Sequence, residues 1–114
     1  MQRDDQYLFD ILDAAKLAAS YVSGMSRQDF LQNIQCQDAV IRRLEIIGEA
    51  SRRVSEQTRT VLTQIPWHAL VGMRNLMIHE YDDVDLTIVW NTVVVDLPIL
   101  ISEIEKNPIR IWID

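Results

Sequence analysis

"LTIVWNTVVVDLPILISEI", residues 86–104, is the stretch on which the fold class turns. Val93, Val94, Val95 and Ile99 carry high strand propensity. The run is nevertheless too long for a usual strand of about five or six residues. Leu86, Val89 or Trp90, Val93, Leu97, Leu100 or Ile101, and Ile104 recur at helical spacing. The segment therefore reads as a helix over 86–105. Pro98, with no N–H to offer the carbonyl of Val94, should bend it near 94–98. Asn91, Asp96 and Glu103 interrupt the apolar run, which suits a core element rather than a membrane span.

The same period appears upstream. Over 5–23, Leu8, Ile11, Leu12, Ala15, Ala18, Ala19 and Val22 form one apolar helix face, and Gly24 offers a left-handed C-terminal cap. Ser26 and Asp29 have capping-box spacing for a short helix over "RQDFLQNI". Val40, Ile41, Leu44, Ile47 and Val54 mark a helix over 38–54, with Gly48 inside it where a neighbouring helix would pack closely. "SEQTRTVLTQI" is a polar connection with a short helical turn near 58–63. Pro66 suits the first turn of a helix from Trp67 to His79. "YDDVD" breaks that helix, and Asp85 can cap the last one. The expected fold is all-α, a four- to five-helix up-and-down bundle forming one domain over residues 1–114.

With three Gly and three Pro, the composition argues against a loop-rich or all-β fold. A net charge of −6 argues against a protein held to nucleic acid mainly by counterion release. It leaves room for a small site gripping one or two phosphates. Cys36 is the only cysteine, which favours a reducing setting, and the acidic "MQRDDQYLFD" does not resemble a secretory signal. The expected location is the cytoplasm.

One short run carries the chemistry. "MRNLMIHEY", residues 73–81, sets Arg74, His79 and Tyr81 among Leu, Met and Ile. At about 100° per residue, Leu70, Met73, Leu76 and Met77 make a core stripe. Arg74 and His79 stand about 140° apart and roughly 7.5 Å apart along the axis, so a regular helix does not bring them to one small atom. Two things could: the helix ends at His79 and the long arginine side chain reaches forward, or a second copy of the helix supplies the missing half. Val71 and Ile78 lie between them, away from the core stripe, as the surface of a homodimer would require. Neutral histidine takes a proton near neutral pH and its imidazolium returns one, while the arginine fork matches a phosphate and its transition-state charge. An Arg–His pair without a carboxylate cluster suits metal-independent phosphodiester cleavage, in RNA through the 2′-hydroxyl. No metal-ligand spacing, activated Ser or Cys nucleophile or Gly-rich phosphate loop is present, and no cofactor is implied.

With Arg74, His79 and Tyr81 in place, the stretch resembles the Arg-x4-His-x-Tyr signature of HepT-like proteins, a branch of the HEPN superfamily. "DAVIRRLEIIGEASRRV" (38–54), "IPWHALVGMRN" (65–75), "VDLTIVWNTV" (84–93) and "DLPIL" (96–100) are similar to the family's other segments in the same order. The resemblance implies a HEPN-like helical homodimer whose active cleft lies at the interface. It implies a toxin of a type VII-like toxin–antitoxin system, an endoribonuclease acting on an RNA such as tRNA or mRNA. Arg74 would bind phosphate and stabilise the transition state, His79 would act as general acid and base, and Asn75 would support the RNA backbone. Tyr81 would be the tyrosine to which a nucleotidyltransferase (MNT-type) antitoxin transfers AMP. Where relatives often have glycine between His and Tyr, this chain has Glu80, whose carboxylate would repel RNA phosphates or pair with Arg74.

Other residues have plainer readings. His68 is an exposed or capping residue rather than a second catalytic histidine. Glu45 and Glu49 fit ion pairs with Arg42, Arg52 or Arg53, and Trp67, Trp90 and Trp112 fit packing anchors. A rival reading from another class stays open: a non-enzymatic helical subunit that binds nucleotide or regulates a nucleotidyltransferase.

Overall fold

The computed structural model describes residues 2–79 and 85–107, with the backbone alone at residues 2 and 74–79. All regular structure among them is helical: α1 (Gln2–Tyr21), α2 (Arg27–Leu31), α3 (Ile34–Arg53), α4 (Glu56–Val61), α5 (Trp67–His79) and α6 (Leu86–Glu105). The four long helices make the bundle and the short α2 and α4 join them. α3 is central, with α1 on one side and α5 on the other, and α6 returns to lie on α1.

The apolar stripes account for this order. Leu8, Ile11, Leu12, Ala15 and Ala18 of α1, with Val22 just beyond its end, are buried in one core with Val40, Ile41, Leu44 and Ile47 of α3. Small Ala14, Ala15 and Ala18 let the two axes approach, and Gly48 is buried on α3 as its position inside the helix required. Each buried Leu or Ile contributes about 1.5–3 kcal/mol relative to exposure. Phe30 of α2 is fully buried and its ring lies 5.5 Å from that of Trp90, tying α2 to α6.

The caps read from the sequence are present. Gly24 has φ +79°, the left-handed conformation that ends the α1 segment at little cost only for glycine. Ser26 and Asp29 bond reciprocally as a capping box. Asp85 accepts from the N–H groups of Thr87 at 2.9 Å and Ile88 at 3.3 Å. Pro66 stands just before α5, its carbonyl accepting from Leu70 N–H at 3.1 Å. α3 starts earlier than its apolar period suggested, because Asn33 caps it through Cys36 N–H.

The valine run is helical, and the response to Pro98 takes a specific form. Residues Thr92–Asp96 form a π turn, in which Leu97 N–H donates to the carbonyl of Thr92, five residues back. The widened turn holds an extra residue. Val93 and Leu97 thus stay in the core, while Val94 and Val95 both face outward at 38% and 54% exposure. By length and composition α6 could cross a membrane. Here Val89, Val93, Leu97, Leu100 and Ile104 form its buried face, while Ile88, Val94, Val95 and Ile99 are exposed.

Candidate functional site

α5 carries the Arg–His run. Its amino end is fixed: Trp67 is buried and its Nε1–H donates to the Leu62 carbonyl at 3.0 Å, and Leu70 is buried against α3. Met73 packs half-buried against the core, as the stripe required. The helical backbone continues through Arg74 and Asn75 to His79, where α5 ends. Their side chains lie outside the described residues, as do Glu80, Tyr81 and Trp112. A regular α5 keeps Arg74 and His79 about 140° apart on the helix.

The same helical advance puts His68, Val71, Gly72, Asn75 and His79 on one side of α5. Its described part is open. His68 and Gly72 are exposed, and a Cβ placed on Gly72 would meet nothing within 4 Å. His68 is exposed as expected, and it borders a groove of about 740 Å³ shared by α3, α4 and the amino end of α5. Arg52, Glu56, Arg59, Trp67 and Val71 also line that groove.

Arg59 was not singled out from the sequence, yet it is the best-held cation there. Its Nη2 donates to the Ser51 carbonyl at 2.7 Å, and its Cζ lies 5.7 Å from the Trp67 ring centroid. The stacking is a cation–π arrangement. Nothing in residues 55–65 alone would reveal it, because the contact depends on α4 folding back beside α5.

A second cavity, about 480 Å³, lies between α1 and α3 and is lined by Tyr7, Asp10, Arg42, Glu45, Glu49 and Arg53 among others. Glu49 pairs with Arg52 at 3.1 Å and Arg53 at 3.2 Å, the ion pairs expected from the spacing. Three carboxylates against two arginines make this cavity a poor host for phosphate. Cys36 is buried, and burial pushes its thiol above the ordinary value, which disfavours thiolate chemistry. Among the described residues no group of three or more His, Cys, Asp and Glu side chains is placed to hold a metal ion.

Comparison with known proteins adds the context. A protein of Thermococcus cleftensis named "Probable ribonuclease HepT" is 40% identical over 100 residues, covering 88% of this chain and 91% of the relative. A protein of Methanocaldococcus jannaschii named provisionally as an RNase is 37% identical over 99 residues, covering 87% of this chain and 91% of its own. Another, from Caldanaerobacter subterraneus and also named provisionally as an RNase, is 33% identical over 106 residues, 93% of this chain and 95% of its own. No solved structure matches the chain. The family described as Ribonuclease HepT-like matches residues 11–107, and the chain belongs to that family.

Proposed function

We propose that the protein is the toxin of a type VII-like HEPN–MNT toxin–antitoxin pair, a cytoplasmic, metal-independent endoribonuclease. The observation that carries this reading is the run Arg74-x4-His79-x-Tyr81, beginning in the last turns of α5, in a chain of the Ribonuclease HepT-like family. The chain acts as a homodimer. Two copies of α5 meeting near Val71 and Ile78 bring two Arg74–His79 pairs to one cleft, which removes the 140° problem of a single helix.

The chemistry follows from the side chains. The neutral imidazole of His79 takes the proton of a 2′-hydroxyl, and that oxygen attacks the adjacent phosphorus. The guanidinium of Arg74 neutralises the non-bridging oxygens as charge builds on them. The second copy's imidazolium gives a proton to the departing 5′-oxygen. The products are a 2′,3′-cyclic phosphate and a 5′-hydroxyl end. Asn75, one residue after Arg74, supports the backbone of the bound strand. A nucleotidyltransferase antitoxin transfers AMP from ATP to the Tyr81 phenol with release of pyrophosphate. The added phosphate and bulk then exclude RNA from the cleft.

Purified protein incubated with RNA in EDTA is expected to generate cyclic-phosphate ends, and Arg74→Ala and His79→Ala are expected to abolish them. Equal, undamaged RNA with wild type and both variants would sink the nuclease reading and leave the non-enzymatic subunit. For Tyr81, mass spectrometry after incubation with the partner and ATP should find added AMP on wild type and none on Tyr81→Phe. An equal gain on Tyr81→Phe removes Tyr81 as the modified residue.

A further inference from the structure

We infer that the groove between α3, α4 and the amino end of α5 is a subsite for the phosphodiester backbone of single-stranded RNA, with Arg59 as its phosphate-binding residue. The inference rests on the nuclease reading above and extends it away from the cleavage point.

Three observations carry it. The first is alignment. His68 borders the groove and lies on the same side of α5 as Asn75 and His79, while Val71, also on the rim, marks where the second copy would approach. From His68 to Asn75 is about 10.5 Å along the axis, so a strand lying along this face passes from the Asn75–His79 side of the motif into the groove without turning.

The second is charge. The chain is acidic at −6, yet Arg52, Arg59 and His68 gather here against Glu56. Arg52 is exposed and shares one oxygen of Glu49 with Arg53, at 3.1 and 3.2 Å. Arg59 forms no such pair: its hydrogen bond goes to a neutral carbonyl, and among the described residues no carboxylate lies within ion-pair distance of it.

The third is preorganisation. The Ser51 carbonyl holds one edge of the Arg59 guanidinium and the Trp67 ring supports its face. Its Nε is buried without a partner, so the free hydrogen-bonding capacity of the group lies at its Nη atoms. A planar cation held in this way meets a phosphate with little further loss of side-chain freedom. The cavity between α1 and α3 has the opposite character, because its arginines are outnumbered by carboxylates.

The test uses the full chain carrying His79→Ala, so that RNA survives, and a short labelled single-stranded oligoribonucleotide read by fluorescence anisotropy. Arg59→Gln is expected to weaken binding about tenfold, the equivalent of one charge-assisted hydrogen bond. It should also reduce the slope of log affinity against log salt by about 0.7, the signature of one phosphate contact on a single strand. Arg59→Lys should restore the slope and part of the affinity. In the cleaving background Arg59→Gln should raise KM and leave kcat in place. His68→Glu, at an exposed position on the rim, provides a second route to weaker binding if Arg59→Gln fails to fold.

Unchanged affinity and slope in Arg59→Gln, with wild type cleaving RNA, would overturn the subsite and spare the nuclease. Loss of slope with a wild type that binds but never cleaves would uphold the subsite and remove the nuclease. A changed sedimentation coefficient with an unchanged slope would overturn the subsite too, marking the groove as a protein contact. No binding by wild type would end both.

Discussion

Asp4 is expected to control both the stability of the bundle and the position of α4. It lies in the first turn of α1, only 4% exposed. Its carboxylate accepts from the Ser55 backbone N–H at 3.0 Å and from the Ser55 and Thr58 hydroxyls. α4 has no buried residue of its own, so these bonds and the Arg59 contacts are what hold it. Asp4→Ala removes three charge-assisted bonds and loosens Ser55, the N-cap of α4. Water reaches the exposed helix and recovers part of the loss, leaving a cost of about 3 kcal/mol. With unfolding entropy of about 2.1 cal/mol/K per residue, this lowers Tm by roughly 12 °C. Burial alone would raise the Asp4 pKa, but the hydrogen bonds from Ser55 and Thr58 outweigh it and hold the carboxyl below its ordinary 3.8. A folded-state pKa below the unfolded value adds stability that is complete above the unfolded value and is lost as pH falls through the folded one. Calorimetry of wild type and Asp4→Asn should therefore show a constant gap in Tm between about pH 5 and 7 that closes below about pH 3.8. A Tm within about 2 °C of wild type for Asp4→Ala, or a gap that persists in acid, would refute the reasoning.

Two glycines test the backbone account with opposite signs. Gly24→Ala is expected to cost about 1 kcal/mol in denaturant unfolding through its positive φ alone, since a Cβ there meets nothing within 4 Å. A neutral result would mean the turn relaxes. Gly72→Ala, inside α5, is expected to stabilise the isolated chain by up to about 1 kcal/mol, because helix propensity improves and the space is open. Destabilisation measured at low concentration would contradict the open face described for α5.

Local features were legible and distant pairings were not. The stripes Leu8–Val22 and Val40–Ile47 fixed two helices, and the Ser26–Asp29 and Asp85 caps fixed boundaries, because each of these acts within a few residues. The helical recurrence from Leu86 to Ile104 outweighed the strand propensity of three valines. The π turn did not show in that period, since it depends on how the backbone absorbs Pro98 while keeping Val93 and Leu97 in the core. Asp4 and Ser55 are 51 residues apart, and no pattern in either segment announces their bond. Arg59 lay hidden for the same reason: its chemistry depends on Trp67 and Ser51 arriving beside it. At the motif, helical geometry separated Arg74 from His79 on the sequence alone, and the proposed homodimer would close that separation.

An acidic chain that acts on RNA must localise its attraction. At a net charge of −6 the whole-protein field repels a polyanion, so long-range steering does not assist association. On the reading proposed here, affinity comes from a few fixed cations, with Arg74 at the cleft and Arg59 in the groove. Each phosphate neutralised on a single strand adds about 0.7 to the salt slope, so the slope should be shallow and divisible between the two arginines. Such a protein gains little from binding RNA indiscriminately. It favours a strand that is already unpaired and can lie along α5 from the groove to the interface, so the choice of target rests on strand shape as much as on charge. Placing AMP on Tyr81 would then act where it is most effective, since one added phosphate next to only two strand-binding arginines cancels a large share of the attraction.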